Sequence, residues 1–327
     1  MEYRSLGRTG RTVSVIGLGT WQLGADWGEV EPADARAVLD AAADAGVTFF
    51  DTADVYGDGR SESFIGEWLR DNPGNGVTVA TKMGRRLEQR LENYSLENFR
   101  AWTDRSRRNL RIDTLDLVQL HCPPSVVFES DEVFDALDTL VSEEAIASYG
   151  VSVEETAQAM TAIARPGTAT VQIIVNAFRL KPLDEVLPAA SEAGVGIIAR
   201  VPLASGLLSG KYTESTTFSE KDHRNYNRGG DAFDVGETFS GVPFEDGVRA
   251  AREFAELTPD GVAPAQAAIA WLAQLDGLST VIPGARNVEQ ARSNAAAGSI
   301  PDLGGDFRSG VKRIYDAYFR DAVHPRW

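Results

Sequence analysis

Short apolar runs alternate with longer amphipathic stretches from one end of the chain to the other, and this alternation constrains the fold more than any other feature. Runs rich in β-branched residues, such as VQIIV at 171–175, are typical of strands that are covered on both faces. Strict alternation of strands and helices indicates parallel strands joined by right-handed crossovers. Eight runs are predicted to form strands, at 15–19, 48–53, 77–82, 115–121, 146–152, 169–176, 195–202 and 279–285.

Three segments frame the eightfold repeat. The opening residues are predicted to form a hairpin that turns at Thr9–Gly10. After the seventh predicted strand, residues 212–243 are polar and lack periodicity, which indicates a functional or a disordered loop. Residues 306–327 predict a C-terminal helical tail that caps the strands or borders a pocket. The segment GLGTWQLG (17–24) resembles a dinucleotide-binding fingerprint only in part, because Gln22 replaces its third glycine. The eightfold repeat is stronger evidence for the fold than this partial match.

Composition limits the partners that the chain can have. Its formal net charge is −16, from 32 Lys and Arg against 48 Asp and Glu, which argues against nucleic acid or an anionic membrane as partner. No stretch approaches the ~20 apolar residues that a membrane helix needs. The single cysteine, Cys122, fits a reducing compartment, so we expect a cytoplasmic protein. Three histidines are too few for the usual barrel metal sites, and no linker divides the one domain predicted over 1–327.

Four polar residues with different chemistry end or closely follow three of the predicted strands. They are Asp51, Tyr56, Lys82 and His121. The C-terminal ends of parallel barrel strands meet at one rim, where such enzymes keep their chemistry. A buried Lys82 would need a partner, and Asp51 is the obvious one. Near Tyr56, the Lys82 cation would lower the pKa of the phenol from ~10.

This set suits the interconversion of carbonyl and alcohol groups. Tyr56 would donate a proton to a carbonyl oxygen that His121 holds, and an external source would supply the hydride. The alternative interpretation is structural: Asp51 and Lys82 would form only an ion pair, and His121 would be a satisfied polar residue near the core.

The motifs that carry these residues resemble the aldo-keto reductases along essentially the whole chain. In chain order they read YRSLGRTG, VSVIGLGTW, FFDTADVYG, ATKMG, LVQLHCPP, SYGVS, PLASGLLSGKY and VIPGARNVEQARSN. The resemblance implies a (β/α)8 TIM barrel, NADP(H) as cofactor and reversible reduction of aldehydes or ketones. It makes Tyr56 the general acid, with Lys82 and Asp51 tuning it and His121 orienting the carbonyl.

The same resemblance implies where NADP(H) would bind. Ser152 and Gln172 would contact the nicotinamide carboxamide, with Asn176 nearby, and segment 202–212 would wrap the pyrophosphate. Arg286, at the start of a helix, would meet a ribose 2′-phosphate, next to adenine contacts. The candidate cofactor residues are Gly19, Thr20, Trp21, Asp51, Ser152, Gln172, Arg200, Pro202, Leu203, Ser205, Gly206, Lys211, Gly284, Arg286, Gln290 and Asn294.

Some positions depart from the family pattern, among them two near the expected nicotinamide site. Arg200 stands where many members place an aromatic residue against the nicotinamide, and Val153 stands where relatives often carry Asn. Trp21 is expected to border the substrate pocket with Tyr56 and His121, and Trp27 is a further candidate for its wall.

The predicted function is NADPH-dependent reduction of aldehydes or ketones to alcohols, on a small-molecule carbonyl or alcohol substrate. One alternative is a redox-sensing regulatory protein of the same fold, as potassium-channel β-subunits are. Another is a sugar or polyol dehydrogenase that works mainly in the oxidative direction. A chain of this type could act as a monomer or a homo-oligomer.

Overall fold

The apolar runs pair in chain order as eight parallel strands. The structure, a computed structural model, describes residues 1–24, 30–220, 222–232 and 234–327, and of His223 only the backbone. Trp27 lies outside the described residues, so its predicted place in the pocket wall stays a prediction. The strands are β3 (Leu18–Gly19), β4 (Phe49–Asp51), β5 (Thr78–Met83), β6 (Leu117–His121), β7 (Tyr149–Ser152), β8 (Thr168–Ile174), β9 (Gly196–Arg200) and β10 (Leu278–Val281).

Each strand pairs with the next, and the last returns to the first. Parallel bridges join Ile16 to Val281 and Gly19 to Gly284, so the sheet closes into a barrel. All residues of β4 to β10 are buried, as expected of strands that face side chains inside and helices outside.

An N-terminal hairpin lies at the end of the barrel where the strands begin. Its strands β1 (Tyr3–Ser5) and β2 (Thr12–Ser14) are antiparallel. Gly7 has a φ of +50°, and an added Cβ would lie 2.1 Å from the carbonyl oxygen of Ala169 in β8, so only glycine fits this contact. A small apolar cluster joins the hairpin to the barrel interior. It comprises Leu6, Val13, Phe49, Ala80, Leu117, Ile198 and Ile282. This end of the barrel interior is therefore apolar, which leaves the opposite rim for polar side chains.

Helices cover the outside of the barrel. The helices that follow the barrel strands each bury one face. In the helix Arg60–Asp71, for example, Ile65 and Trp68 face the core. The helices are α1 (Pro32–Asp44), α2 (Arg60–Asp71), α3 (Leu96–Leu110), α4 (Ser125–Glu129), α5 (Asp131–Ser142), α6 (Thr156–Ile163), α7 (Val186–Ala193), α8 (His223–Tyr226), α9 (Phe244–Leu257), α10 (Pro264–Ala273), α11 (Val288–Ala296), α12 (Gly304–Tyr318) and α13 (Arg320–Val323). Among the described residues, no helix has the length and apolar content needed to cross a bilayer.

The barrel, the hairpin, the long loop after the seventh barrel strand and the helical tail are confirmed. The first barrel strand is shorter than predicted, two residues instead of 15–19. The short helices α4 and α8 were not predicted, because four or five residues are too few to show a helical period. The loop 212–243 contains α8 and two 3-10 turns, Val235–Glu237 and Phe239–Gly241.

Candidate active site

The structure brings the four predicted catalytic residues together at the C-terminal rim of the barrel. Asp51 and His121 end β4 and β6, Lys82 lies near the end of β5, and Tyr56 follows β4 by five residues. Lys82 Nζ donates hydrogen bonds to Asp51 Oδ1 at 2.5 Å and to Tyr56 Oη at 3.4 Å. The ring centroids of Tyr56 and His121 are 5.9 Å apart, in an edge-on arrangement. The predicted ion pair exists, and it also contacts the phenol.

Two glutamines hold the second oxygen of Asp51. Gln172 Nε2 donates to Oδ2 at 2.8 Å, and Gln119 Nε2 donates to the same atom at 3.2 Å. Gln172 therefore fixes the carboxylate, and its predicted contact with the nicotinamide carboxamide stays a prediction. Sequence reasoning missed Gln119. Its signal is that it lies two residues before His121, on the same face of β6, and is polar within an apolar run.

Burial changes the proton affinity of Tyr56 in the direction opposite to the prediction. Desolvation raises the pKa of Tyr56 above its usual value, and the attraction of Lys82 offsets only part of this rise. The expected fall of the pKa is thus wrong, since the sequence does not show how completely the phenol is enclosed. Burial also disfavours the cationic form of Lys82, but Asp51 and Tyr56 still hold its pKa above the ordinary value.

His121 is neutral at neutral pH. Burial, and then the positive charges of Arg85, Lys82 and Arg200, lower its pKa well below the usual value. Among the described residues, His121 Nδ1 has no hydrogen-bond partner although it is buried. Buried polar atoms are nearly always paired, so an unpaired one at a rim indicates a place for a ligand.

Arg200, at the end of β9, is held between two carboxylates that sequence reasoning missed. Its Nη2 donates to Glu154 Oε2 at 2.8 Å and to the carbonyl oxygen of Val153 at 3.0 Å, and its Nη1 donates to Glu237 Oε1 at 2.7 Å. Although burial opposes it, these carboxylates raise the pKa of Arg200 well above the ordinary value. Glu154 had a signal, because it is a charged residue two positions after the end of β7. Glu237 had none, because it lies in the loop without periodicity.

The segment after β9, predicted to wrap the pyrophosphate, has a strained backbone. Positive φ angles occur at Val201 (54°), Ala204 (46°), Ser205 (57°) and Gly206 (93°). Ser205 Oγ donates to the carbonyl oxygen of Glu237 at 2.7 Å, so the loop 212–243 lies against this segment. Clustered positive φ angles are typical of ligand-binding turns. Pro202 and Leu203 lie in the same turn, and Lys211 is an exposed residue beyond it.

Residues of the first strand and of the turn after β10 meet beside the quartet. Thr20 Oγ1 donates to the carbonyl oxygen of Asp51 at 2.9 Å, and the rings of Trp21 and Tyr56 are 6.3 Å apart. A Cβ at Gly284 would lie 2.3 Å from the side chain of Gln22. Gln22 Oε1 is a second buried atom without a partner among the described residues.

The predicted adenosine contacts lie at the start of α11. Gln290 Oε1 accepts a hydrogen bond from the backbone N–H of Arg286 at 2.9 Å, and Asn294 Nδ2 donates to the carbonyl oxygen of Gly284 at 3.1 Å. Burial and the positive charge of Arg224 lower the pKa of Arg286. Arg224 is paired with Asp222, whose negative charge opposes this fall in the pKa of Arg286. Elsewhere on the rim, Ser152 Oγ lies 3.5 Å from Cys122 Sγ.

Comparisons with known proteins show the family to which the chain belongs. The model of the aldo/keto reductase family matches residues 15–314. A probable voltage-gated potassium channel subunit beta from Oryza sativa subsp. japonica is 32% identical, over 91% of this chain and 91% of the relative. A solved glycerol dehydrogenase from Gluconobacter oxydans is 26% identical, with a TM-score of 0.79 over 99% of this chain and 98% of the other.

A solved aldo/keto reductase from Klebsiella pneumoniae in complex with NADP and acetate is 25% identical to this chain, with a TM-score of 0.68. The alignment covers 93% of this chain and 92% of the other. The family model spans nearly the whole barrel, including all four residues of the quartet. The chain belongs to the aldo/keto reductase family of oxidoreductases, as its motifs predicted.

Proposed function

We propose that the protein reduces aldehydes or ketones to alcohols with NADPH, reversibly. The contact of Lys82 Nζ with both Asp51 and Tyr56, beside a neutral His121, carries this proposal. It provides a protonated phenol, a cation that can stabilise the phenolate, and an imidazole that can hold an oxygen atom. A structural ion pair alone would not require the phenol or the unpaired imidazole nitrogen.

Each residue then has one part in the proton transfer. His121, being neutral, donates its ring N–H to the carbonyl oxygen and orients it. Tyr56, protonated at neutral pH, gives its proton to the oxygen as negative charge develops there. Lys82 stabilises the tyrosinate that remains, and Asp51 keeps Lys82 charged and in place. The bound nicotinamide supplies the hydride.

The residues on the rim fit NADP(H). Ser152, the strained turn at 201–206 and the unpaired Gln22 Oε1 provide polar groups for the nicotinamide and pyrophosphate. Arg286, just before the start of α11, suits the ribose 2′-phosphate. The Klebsiella pneumoniae relative was solved with NADP, which supports the same cofactor here.

Turnover tests the activity. We expect NADPH oxidation with 4-nitrobenzaldehyde or methylglyoxal by the wild type, and its loss in Tyr56→Phe. Tyr3→Phe is the matched control, because Tyr3 lies half-exposed in the hairpin, away from the rim. Activity retained in Tyr56→Phe would refute the role of the phenol.

Binding tests the cofactor preference. We expect the wild type to bind NADPH more tightly than NADH, and Arg286→Ala to weaken only NADPH. Arg292→Ala, on the exposed side of the same helix, is the control. Equal dissociation constants for NADPH and NADH in the wild type would overturn the preference.

Two relatives favour second candidates. The rice channel subunit suggests a regulatory protein that senses the redox state of its nucleotide. Tight NADPH binding without turnover of any carbonyl compound would favour that role. The Gluconobacter oxydans enzyme suggests polyol oxidation. Faster turnover with NADP⁺ and glycerol than with NADPH and aldehydes would favour that direction. The single cysteine supports a cytoplasmic location for each of these roles.

A further inference from the structure

A polar cleft of about 490 Å³ lies beside His121. Its walls come from the segment after β5, the end of β6, the segment after β7 and the loop 212–243. Arg85 Nε and Gln89 Nε2 each donate to the carbonyl oxygen of His121, at 3.1 Å, and Cys122 follows it in the wall. The cleft is therefore joined directly to the residue that would orient the carbonyl.

Arg85 offers unused donors to this cleft. Its Nε is engaged by His121, but no described residue accepts a hydrogen bond from its two terminal nitrogens. The nearest carboxylate oxygen is Glu154 Oε1, 3.8 Å from Arg85 Nη2, which is beyond hydrogen-bond distance. Arg85 is 27% exposed, so its terminal nitrogens can reach a ligand.

Glu154 offers an unused acceptor at the same place. Its Oε2 accepts a hydrogen bond from Arg200 Nη2, but its Oε1 is buried and has no hydrogen-bond partner among the described residues. A buried oxygen in this state is unfavourable until a donor reaches it. A hydroxyl group both donates and accepts, so it satisfies Glu154 Oε1 and an Arg85 nitrogen together.

The charge of the lining restricts the ligand further. The charges around the cleft are compensated: Arg85 Nη2 lies 3.8 Å from Glu154 Oε1, and Arg200 forms ion pairs with Glu154 and Glu237. An anionic group would therefore find no uncompensated cation, and an alkyl group would bury these polar atoms without partners. A neutral, hydroxylated chain avoids both penalties.

We propose that Arg85 and Glu154 form a subsite that binds hydroxyl groups of the substrate. This inference rests on the proposed function and names its substrate class: neutral hydroxylated aldehydes and ketones, with the corresponding polyols as products. Arg85 and Glu154 act as specificity-determining residues, and the quartet performs the same proton transfer on every substrate.

Glyceraldehyde and propanal test the subsite, because they share a three-carbon chain and differ by two hydroxyl groups. The readout is the ratio of their kcat/KM values, which a general loss of activity does not change. We expect Arg85→Met to lower the glyceraldehyde-to-propanal ratio about tenfold, the effect of one hydrogen bond to a charged group. Arg90→Met is the control, because Arg90 is exposed and pairs with the exposed Glu88. Arg85→Lys keeps the charge and the folding of the segment. Its glyceraldehyde-to-propanal ratio should lie between the ratios of Arg85→Met and Arg90→Met.

Succinic semialdehyde and butanal test the charge. Glu154→Gln should raise the ratio of kcat/KM for the anionic over the neutral substrate, and Glu88→Gln should not. An unchanged glyceraldehyde-to-propanal ratio in Arg85→Met and Arg85→Lys would overturn the subsite.

If the wild type turns over no carbonyl compound, the proposed function is wrong. The subsite is then judged by saturation-transfer NMR of glycerol on the NADP⁺ complex. A signal that Arg85→Met abolishes supports the subsite, and a signal that is absent or insensitive to Arg85→Met overturns it.

Discussion

Asp54 should make the stability of this protein fall as the pH rises towards neutrality. It lies two residues before Tyr56, and it is completely buried. Neither of its carboxylate oxygens has a hydrogen-bond partner among the described residues. Burial, and then the nearby charge of Glu62, raise its pKa from 3.8 to about 7, although Arg86 and Arg105 oppose the rise.

The sign and size follow from linkage. A carboxyl whose pKa is raised in the folded state favours folding at low pH, and this contribution is lost as the pH rises through the folded pKa. The rise of the Asp54 pKa from 3.8 to about 7 corresponds to about 4 kcal/mol of folding free energy. About half of this stabilisation, 2 kcal/mol, is lost between pH 5.5 and pH 8. Asp54→Asn cannot ionise. Its free energy of unfolding, relative to wild type, should therefore improve by about 2 kcal/mol over this range.

Urea unfolding of wild type and variant at pH 5.5 and pH 8 measures this difference. Asp58→Asn is the control, since Asp58 is exposed and contacts the same two arginines, Arg86 and Arg105. These arginines lower the pKa of Asp58, so it is ionised at both pH values and the control should show no pH dependence. A difference between Asp54→Asn and wild type that is the same at both pH values would refute the reasoning.

Other predictions concern the site and its supports. Lys82→Met should lower the free energy of unfolding by about 3–5 kcal/mol, because it leaves Asp51 buried and unpaired, whereas Tyr56→Phe should stay within about 1 kcal/mol in the same urea assay. The Cys122 thiol, with its pKa raised by burial to about 12, should react with iodoacetamide at pH 8 far more slowly in the folded than in the urea-unfolded protein. Trp327→Ala should cost about 3–5 kcal/mol and Trp327→Phe less, since phenylalanine keeps a ring over the guanidinium that Trp327 covers at 4.3 Å; equal losses in denaturation would contradict this. Because the pKa of Tyr56 is raised, alcohol oxidation should increase with pH up to at least pH 10, and a profile that levels off near pH 7 would contradict it.

The parallel register explains why the quartet could be predicted from the sequence. Polar residues that end neighbouring parallel strands must meet at one rim, whatever the details of packing. In the structure, Asp51 pairs with Ala80 across β4 and β5, and Lys82 pairs with Gln119 across β5 and β6. Two steps of regular pairing are therefore enough to bring these side chains within reach of each other.

Glu237, one of the two carboxylate partners of Arg200, could not be predicted in this way. Glu237 reaches it from a loop 37 residues later in the chain, which has no period to relate it to the strands. Its position depends on contacts such as that of Ser205 with the Glu237 carbonyl, and these form only when the loop packs on the barrel. The polar cleft beside His121 depends on the same packing, since Asp234 of this loop forms part of its wall.

Tyr56 shows how the two kinds of information combine. The sequence identified its neighbours correctly, but the balance of their effects depends on distance and burial. Lys82 lies closer to Asp51, at 2.5 Å, than to Tyr56, at 3.4 Å, so much of its charge is already compensated. Enclosure then outweighs the remaining attraction, and the phenol keeps its proton. For carbonyl reduction this is the useful form, because a proton donor must be protonated before the oxygen becomes basic. In the proposed reaction, the cation beside the phenol stabilises the negative charge that develops there as the proton leaves.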